Sequence, residues 1–158
     1  MNILVVYFSA SGRTKKAAER IAKGLGADLR EIVPAIPYTP EDLNWHDRNS
    51  RSSVEMKDET IRPAMSNPID ISPYDVVFVG YPIWWGLAPR IINTFLEGGS
   101  FKGKVLVPFC TSGGGGLGRS GAMLAASAPG AILRRGREIH ASDSDASILD
   151  WARSCQEK

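Results

Sequence analysis

The residues Phe8-Ser9-Ala10-Ser11-Gly12-Arg13-Thr14 place hydroxyls, a glycine and a cation between an apolar run, Ile3 to Phe8, and an amphipathic stretch with Ala17, Ala18, Ile21, Ala22 and Leu25 on one side. A strand that hands small polar residues to a helix start forms an anion site. The first N–H groups of a helix have no partner within it, and the helix dipole favours negative charge there. The hydroxyls of Ser9, Ser11 and Thr14, the backbone N–H groups from Ser11 to Thr14 and the Arg13 guanidinium could together hold a terminal phosphate. Arg13 and Thr14 are expected to turn their side chains to that ligand rather than to the core. The same residue types also serve as an ordinary helix cap, so this loop does not decide the matter alone.

Two further stretches share the pattern of strand, polar or glycine-rich loop, then helix. Gly80-Tyr81-Pro82-Ile83-Trp84-Trp85-Gly86 brings three aromatics to the end of a strand, where flat apolar side chains can flank a ring system. One of Trp84 and Trp85 is expected to pack under the neighbouring helix and the other to serve a ligand. Thr111-Ser112-Gly113-Gly114, continuing through Gly118-Arg119-Ser120, lets the backbone approach a ligand and offer it N–H and C=O groups. Gly113 to Ser120 reads G-x-x-x-x-G-R-S, one residue from the phosphate-binding loop of nucleotide hydrolases. Arg119 stands where the phosphate-reaching lysine belongs, and no strand ending in Asp follows, so nucleotide hydrolysis is set aside.

Repeating strand and helix patterns position these loops. Strands are expected at Ile3 to Phe8, Ala27 to Val33, Asp75 to Tyr81 and Lys104 to Cys110. A last strand is expected within Ala131 to Leu133 or Glu138 to His140. The run Asp-Val-Val-Phe-Val-Gly-Tyr is continuously apolar, as in a strand covered on both faces, whereas Pro108 weakens the strand it interrupts. Helices are expected after Thr14, at Pro89 to Leu96 (with Pro89 in the first turn and Gly98-Gly99 as the stop), at Ser120 to Ser127, and from Ser144 or Asp145 onward, packing Ile148, Leu149, Ala152 and Trp151. A short helix at Pro40 to Trp45 and another within Ser53 to Ile61 are weaker expectations in a long polar segment. The alternation predicts an α/β fold of three layers, a doubly wound sheet of five parallel strands in the order 2-1-3-4-5. All three loops then fall at the carboxyl edge near the first strand, where such sheets bind ligands.

The chain has 158 residues, 43% hydrophobic and 23% charged, with a formal net charge of +2. These totals suit one domain spanning 1–158 with a full core, and the charge is too small to argue for nucleic acid or membrane partners. The opening residues enter a strand without a basic leader, which predicts a cytoplasmic protein. Cys110 and Cys155 form neither a disulfide framework nor a zinc spacing. His46 and His140 are the only histidines, and neither has a matched nucleophile. Both are expected to be surface or structural residues. Cys110 is expected to pack as a small hydrophobe beside the third loop, where a redox role stays open.

Taken in order, Phe8 to Thr14, Gly80 to Gly86 and Phe109 to Gly114 resemble the flavodoxins, in particular short flavodoxin-like proteins with Y-x-x-x-G-x-T, G-Y-P-I-W-W-G and F-x-T-S-G-G at these places. The resemblance runs from residue 1 to about 151 and includes Arg62-Pro63, Ala88-Pro89, Thr94 to Glu97 and Trp151. It implies noncovalently bound FMN. Ser9, Ser11, Gly12, Arg13 and Thr14 would hold the phosphate; Pro82, Ile83, Trp84, Trp85 and Gly86 would line the isoalloxazine; Thr111, Ser112, Gly113 and Gly114 would meet its pyrimidine side. No side chain need act as a catalyst, because the flavin carries the chemistry. Typical electron-shuttle flavodoxins are strongly acidic and rely on neutral phosphate donors, unlike this chain with its +2 charge and Arg13. Three readings stay open: an electron-transfer flavodoxin with a redox partner protein, an NAD(P)H-dependent FMN quinone reductase acting on small acceptors, and a flavin-binding sensor without turnover. A low-molecular-weight tyrosine phosphatase would need a cysteine within residues 8 to 14, and there is none.

Overall fold

A computed structural model describes residues 1–112 and 114–156. Its elements are β1 (Ile3–Tyr7), α1 (Arg13–Leu25), β2 (Asp28–Glu31), α2 (Arg51–Lys57), β3 (Val76–Pro82), α3 (Arg90–Glu97), β4 (Val105–Thr111), α4 (Ser120–Ser127), β5 (Ile132–Leu133), β6 (Arg137–Glu138) and α5 (Asp145–Ser154). All strand pairings are parallel, in the order β2-β1-β3-β4-β5, with β6 also on β4. The sheet is the five-position doubly wound sheet expected from the alternation, with its last position shared by two short pieces. The first candidate segment for the last strand supplies β5, and β6 overlaps the second only at Glu138.

Pro108 explains the split. Along β4 the odd residues face β3, as when Val105 N–H donates to Asp75, while Lys104, Leu106 and Cys110 carbonyls accept from Ile132, Arg134 and Ile139 on the outer side. Pro108 also faces outward, between the stretches paired with β5 and β6. Its missing N–H thus falls where the outer ladder is already interrupted.

Successive side chains of each central strand enter opposite layers. Leu4, Val6, Val77, Val79, Tyr81, Leu106 and Cys110 pack with Ile91, Ile92, Phe95 and Leu96 of α3 and Leu124 of α4. Val5, Tyr7, Val76, Phe78, Val105, Val107 and Phe109 pack with Ala17, Ala18, Ile21 and Ala22 of α1 and with Ile148 and Ala152 of α5. Burial on both faces is why these strands read as apolar runs. Fully burying a side chain such as Ile21 contributes about 1.5–3 kcal/mol.

Helix limits follow local chemistry. Ser144 caps α5 by accepting from Ser147 N–H, and Ser50 caps α2 by accepting from Ser53 N–H. Pro89 occupies the cap position of α3 rather than its first turn. The expected helix at Pro40 to Trp45 does not form. Thr39 and Asp42 exchange side-chain-to-backbone hydrogen bonds, and Asn44 Oδ1 accepts from His46 N–H. The Thr39–Asp42 pair starts a single helical turn, in which Leu43 N–H donates to Thr39, and the Asn44 side chain then diverts the backbone into turns. The segment that carries them is tied at its base, where Ala35 N–H donates to Ala64 and Ser66 N–H to Val33. Among the described residues no helix is long and apolar enough to cross a membrane.

Candidate functional site

Tyr7 pairs with Gly80, and Gly80 with Phe109. The loops that follow β1, β3 and β4 therefore leave one edge of the sheet side by side. Each is also bonded to its neighbour.

In the first loop Gly12 adopts φ 89°, the left-handed turn that aims the chain into α1. Ser9 Oγ accepts from Gly12 N–H at 3.0 Å, and α1 has no side-chain cap. Among the described residues no protein acceptor meets the N–H groups of Ser11, Arg13, Thr14 or Lys15. That leaves a cluster of donors at the positive end of the helix dipole. Ser11 and Arg13 are exposed, and Arg13 donates to the Ser112 carbonyl at 3.1 Å, tying the first loop to the third. Thr14 departs from expectation. It is only 2% exposed, and its hydroxyl lies 2.7 Å from that of Thr111, itself 7% exposed. Thr14 is thus a strut between α1 and β4, turned to the protein rather than fully to a ligand.

The second loop makes a tight turn. Trp84 and Leu87 exchange backbone hydrogen bonds at 2.9 and 3.0 Å across Trp85 (φ 51°) and Gly86 (φ 75°). Two positive φ values in succession mark a type I′ turn, which suits Asn or Gly and strains a tryptophan. Trp85 nevertheless occupies the tip and is 49% exposed. Trp84 is half-buried and packs edge-on against Phe8 at 5.9 Å and Tyr38 at 5.5 Å. One tryptophan is thus packed on one side, and the other stands exposed at the turn tip. The packed one lies against the first strand end and Tyr38 rather than under α3. At the strand end Ile83 N–H donates to the Thr111 carbonyl. Pro82 and Ile83 are partly exposed at the mouth of the loop.

The third loop is held from beneath by Glu138, which accepts from the Ser112 hydroxyl and from Gly116 N–H, with His140 Nε2 3.5 Å from Oε1. Burial opposes ionisation of Glu138, but the Ser112 hydroxyl, His140 and the Gly116 and Gly114 N–H groups outweigh it and hold the carboxyl below its usual range. The Ser112 hydroxyl and carbonyl are thereby committed within the protein. Gly114 is exposed, and Gly113 lies outside the described residues. Gly118 serves the second loop rather than a ligand: a Cβ there would sit 2.4 Å from the Gly86 carbonyl, which also accepts from Arg119 N–H at 2.8 Å.

A cavity of about 370 Å³ opens beside the tryptophan turn, lined by Ile83, Trp84, Trp85, Leu43, Trp45 and Ser52. Trp45 and Ser52 belong to the segment 45–68, for which the sequence offered no residue-level role, and Leu43 precedes it. Ser52 is buried and its Oγ has no hydrogen-bond partner among the described residues. An exposed tryptophan inside a polar segment was the available signal for Trp45, which stacks on His46 with centroids 3.7 Å apart. Cys110 is fully buried, and burial together with the Glu138 carboxylate pushes its thiol up to about 12. It packs as a small hydrophobe, without thiolate character.

A family model described as Flavodoxin matches residues 2–155. Among solved structures, a candidate flavoprotein from Bacteroides eggerthii DSM 20697 is 50% identical, with 99% of each chain covered and a TM-score of 0.93. A second candidate flavoprotein, from Bacteroides uniformis ATCC 8492, is 43% identical over 96% of this chain and 97% of that one, with a TM-score of 0.90. A flavoprotein from Lactobacillus acidophilus NCFM, solved in complex with FMN, shares the fold at 22% identity, covering 96% of this chain and 98% of that one, with a TM-score of 0.72. No curated protein matches.

Proposed function

The chain belongs to the flavodoxin family, and from that premise we propose that it is a redox protein holding FMN noncovalently across the three loops. One observation carries the reading: an uncapped helix start whose four N–H groups have no acceptor among the described residues and a tryptophan-lined cavity occupy the same sheet edge. The relative from Lactobacillus acidophilus, solved with FMN, supports it.

The residues present fit that group. Ser9, Ser11, Gly12 and Thr14 would surround its phosphate with backbone N–H groups and hydroxyls, and Arg13 would add a charge-assisted hydrogen bond. Trp84, Trp85 and Trp45 would supply apolar faces for a flat ring, with Pro82, Ile83 and Gly86 at its margin. The unpartnered Ser52 hydroxyl would meet a polar ring edge. Thr111, Ser112, Gly113 and Gly114 would approach the pyrimidine side through their backbone. When bound, FMN supplies the redox chemistry by accepting and releasing a hydride or single electrons. The chain binds and orients the ring and keeps water from the face that it covers.

The net charge of +2 favours a second, finer reading, an NAD(P)H-dependent quinone reductase. The chain lacks the acidic field that would steer a basic redox partner. Rapid reaction of the FMN-loaded protein with NADH or NADPH, followed by a quinone, is expected of the reductase and absent for a shuttle or a sensor.

The test of the main reading is visible absorption of the purified protein with FMN titration. Bound flavin is expected, and Arg13→Ala should weaken affinity by about tenfold or more, the usual worth of a charge-assisted hydrogen bond. No flavin binding even with added FMN would overturn the proposal.

A further inference from the structure

Ser112 opens the third loop, and its polar groups are held from different directions. The hydroxyl donates to Glu138 and accepts from Gly114 N–H at 3.2 Å, so β6 and the loop itself fix the side chain. The carbonyl is held from the first loop, where Arg13 donates to it at 3.1 Å across 99 positions of sequence. The carbonyl just before it is placed differently. Thr111 accepts from Ile83 N–H, a backbone contact that prolongs the β3–β4 pairing. A ligand could take the Ser112 carbonyl from one exposed side chain, but the Thr111 carbonyl only by parting two loops.

Arg13 is exposed, and among the described residues it forms no ion pair and has the Ser112 carbonyl as its one acceptor. Most of its guanidinium fork is therefore uncommitted. The FMN reading calls on both of these groups, Arg13 for the phosphate and the Ser112 backbone for the pyrimidine side. In the structure they bond to each other.

A phosphate is a stronger partner for a guanidinium than a neutral carbonyl is, because its hydrogen bonds are charge-assisted and can be paired. A phosphate beside the N–H groups of Ser11, Thr14 and Lys15 at the start of α1 would draw the Arg13 fork toward itself. The Ser112 carbonyl would then accept from the imide N–H of a flavin ring. A flavin without phosphate offers the fork nothing and has to displace it.

We propose that Arg13 makes recognition of the flavin ring conditional on the phosphate: it holds the Ser112 carbonyl against unphosphorylated flavin and releases it when a phosphate binds at α1. The proposal rests on the FMN reading and adds to it a specificity-determining role for Arg13. In energetic form it is a coupling between the two ends of one ligand, each end binding better when the other is present. The exchange is local. Arg13 can turn while Thr14 stays buried against Thr111 and Glu138 keeps its hold beneath the loop.

The experiment is fluorescence-quenching titration of the full chain with FMN and, separately, with riboflavin, for the parent and for Arg13→Ala. FMN should bind Arg13→Ala about tenfold or more weakly, because a phosphate donor is lost. Riboflavin should bind it about two- to tenfold more tightly, the net worth of one hydrogen bond that it no longer has to displace. The opposite signs separate this role from two simpler ones. A residue that only held phosphate would leave riboflavin affinity unchanged, and one that only propped the third loop would weaken it. Either result would overturn the proposal, as would riboflavin binding that stays undetectable in both proteins. FMN that fails to bind the parent would instead refute the underlying reading.

Discussion

Thr14→Val tests whether Thr14 is a strut or only a ligand donor. Valine keeps the β-branched shape and removes the hydroxyl that lies 2.7 Å from Thr111 Oγ1, both residues being buried. The lost hydrogen bond nets about 1 kcal/mol, and a Thr111 hydroxyl left without a partner adds about 1–3 kcal/mol. The extra methyl group recovers up to about 0.8 kcal/mol of that through burial. A net loss of about 1–4 kcal/mol follows, which lowers the melting temperature of a chain this size by roughly 3–12 °C. The assay is thermal and urea denaturation without flavin, so that any effect through the cofactor is absent. Thr14→Val/Thr111→Val should be no less stable than either single variant, because neither hydroxyl is then orphaned. A flavin-free Thr14→Val protein melting within about 1 °C of the parent, against the loss worked out above, would refute the strut. So would a double variant that loses the sum of the two single losses.

Trp85→Asn replaces a strained residue at φ 51° with one that the turn prefers, and flavin-free stability should rise by about 0.5–1 kcal/mol in urea denaturation while FMN affinity falls. Glu138 has a folded-state pKa below its usual value, so its contribution to stability is present above the unfolded carboxyl pKa of about 4.3. It is lost as pH falls through the lower folded value. Melting temperatures taken from pH 5 to pH 3 should therefore drop more steeply for the parent than for Glu138→Gln. The Cys110 thiol, pushed up to about 12 in the core, should resist a thiol reagent at pH 8 in the native protein and react once the protein is unfolded in urea.

Much of the fold was legible because burial leaves a periodic mark on the chain. The continuous apolar runs at Val76 to Val79 and Val105 to Val107 announced strands covered on both faces, and α4 occupies Ser120–Ser127, the limits expected for it. Proline at 108 was a warning read correctly in kind but not in outcome, because its harmlessness depends on which side of β4 is unpaired. The segment around residue 40 has proline spacing and polarity compatible with helix or turn. Competition from the Asn44 side chain tipped it to turn after a single helical turn. Trp45 and Ser52 carry no local sign that they face Trp84 and Trp85.

The sequence by itself determined the alternation of strands and helices, the parallel order and the placing of three polar or aromatic loops at one sheet edge, since these follow from local periodicity and turn chemistry. Only the tertiary structure decided that Thr14 bonds Thr111 across 97 positions, that Glu138 holds the glycine loop, and that an isolated tryptophan completes the cavity. Hydrogen bonds and ring contacts between distant residues leave no period in the chain. They exist only once packing has fixed which side chains share a buried space.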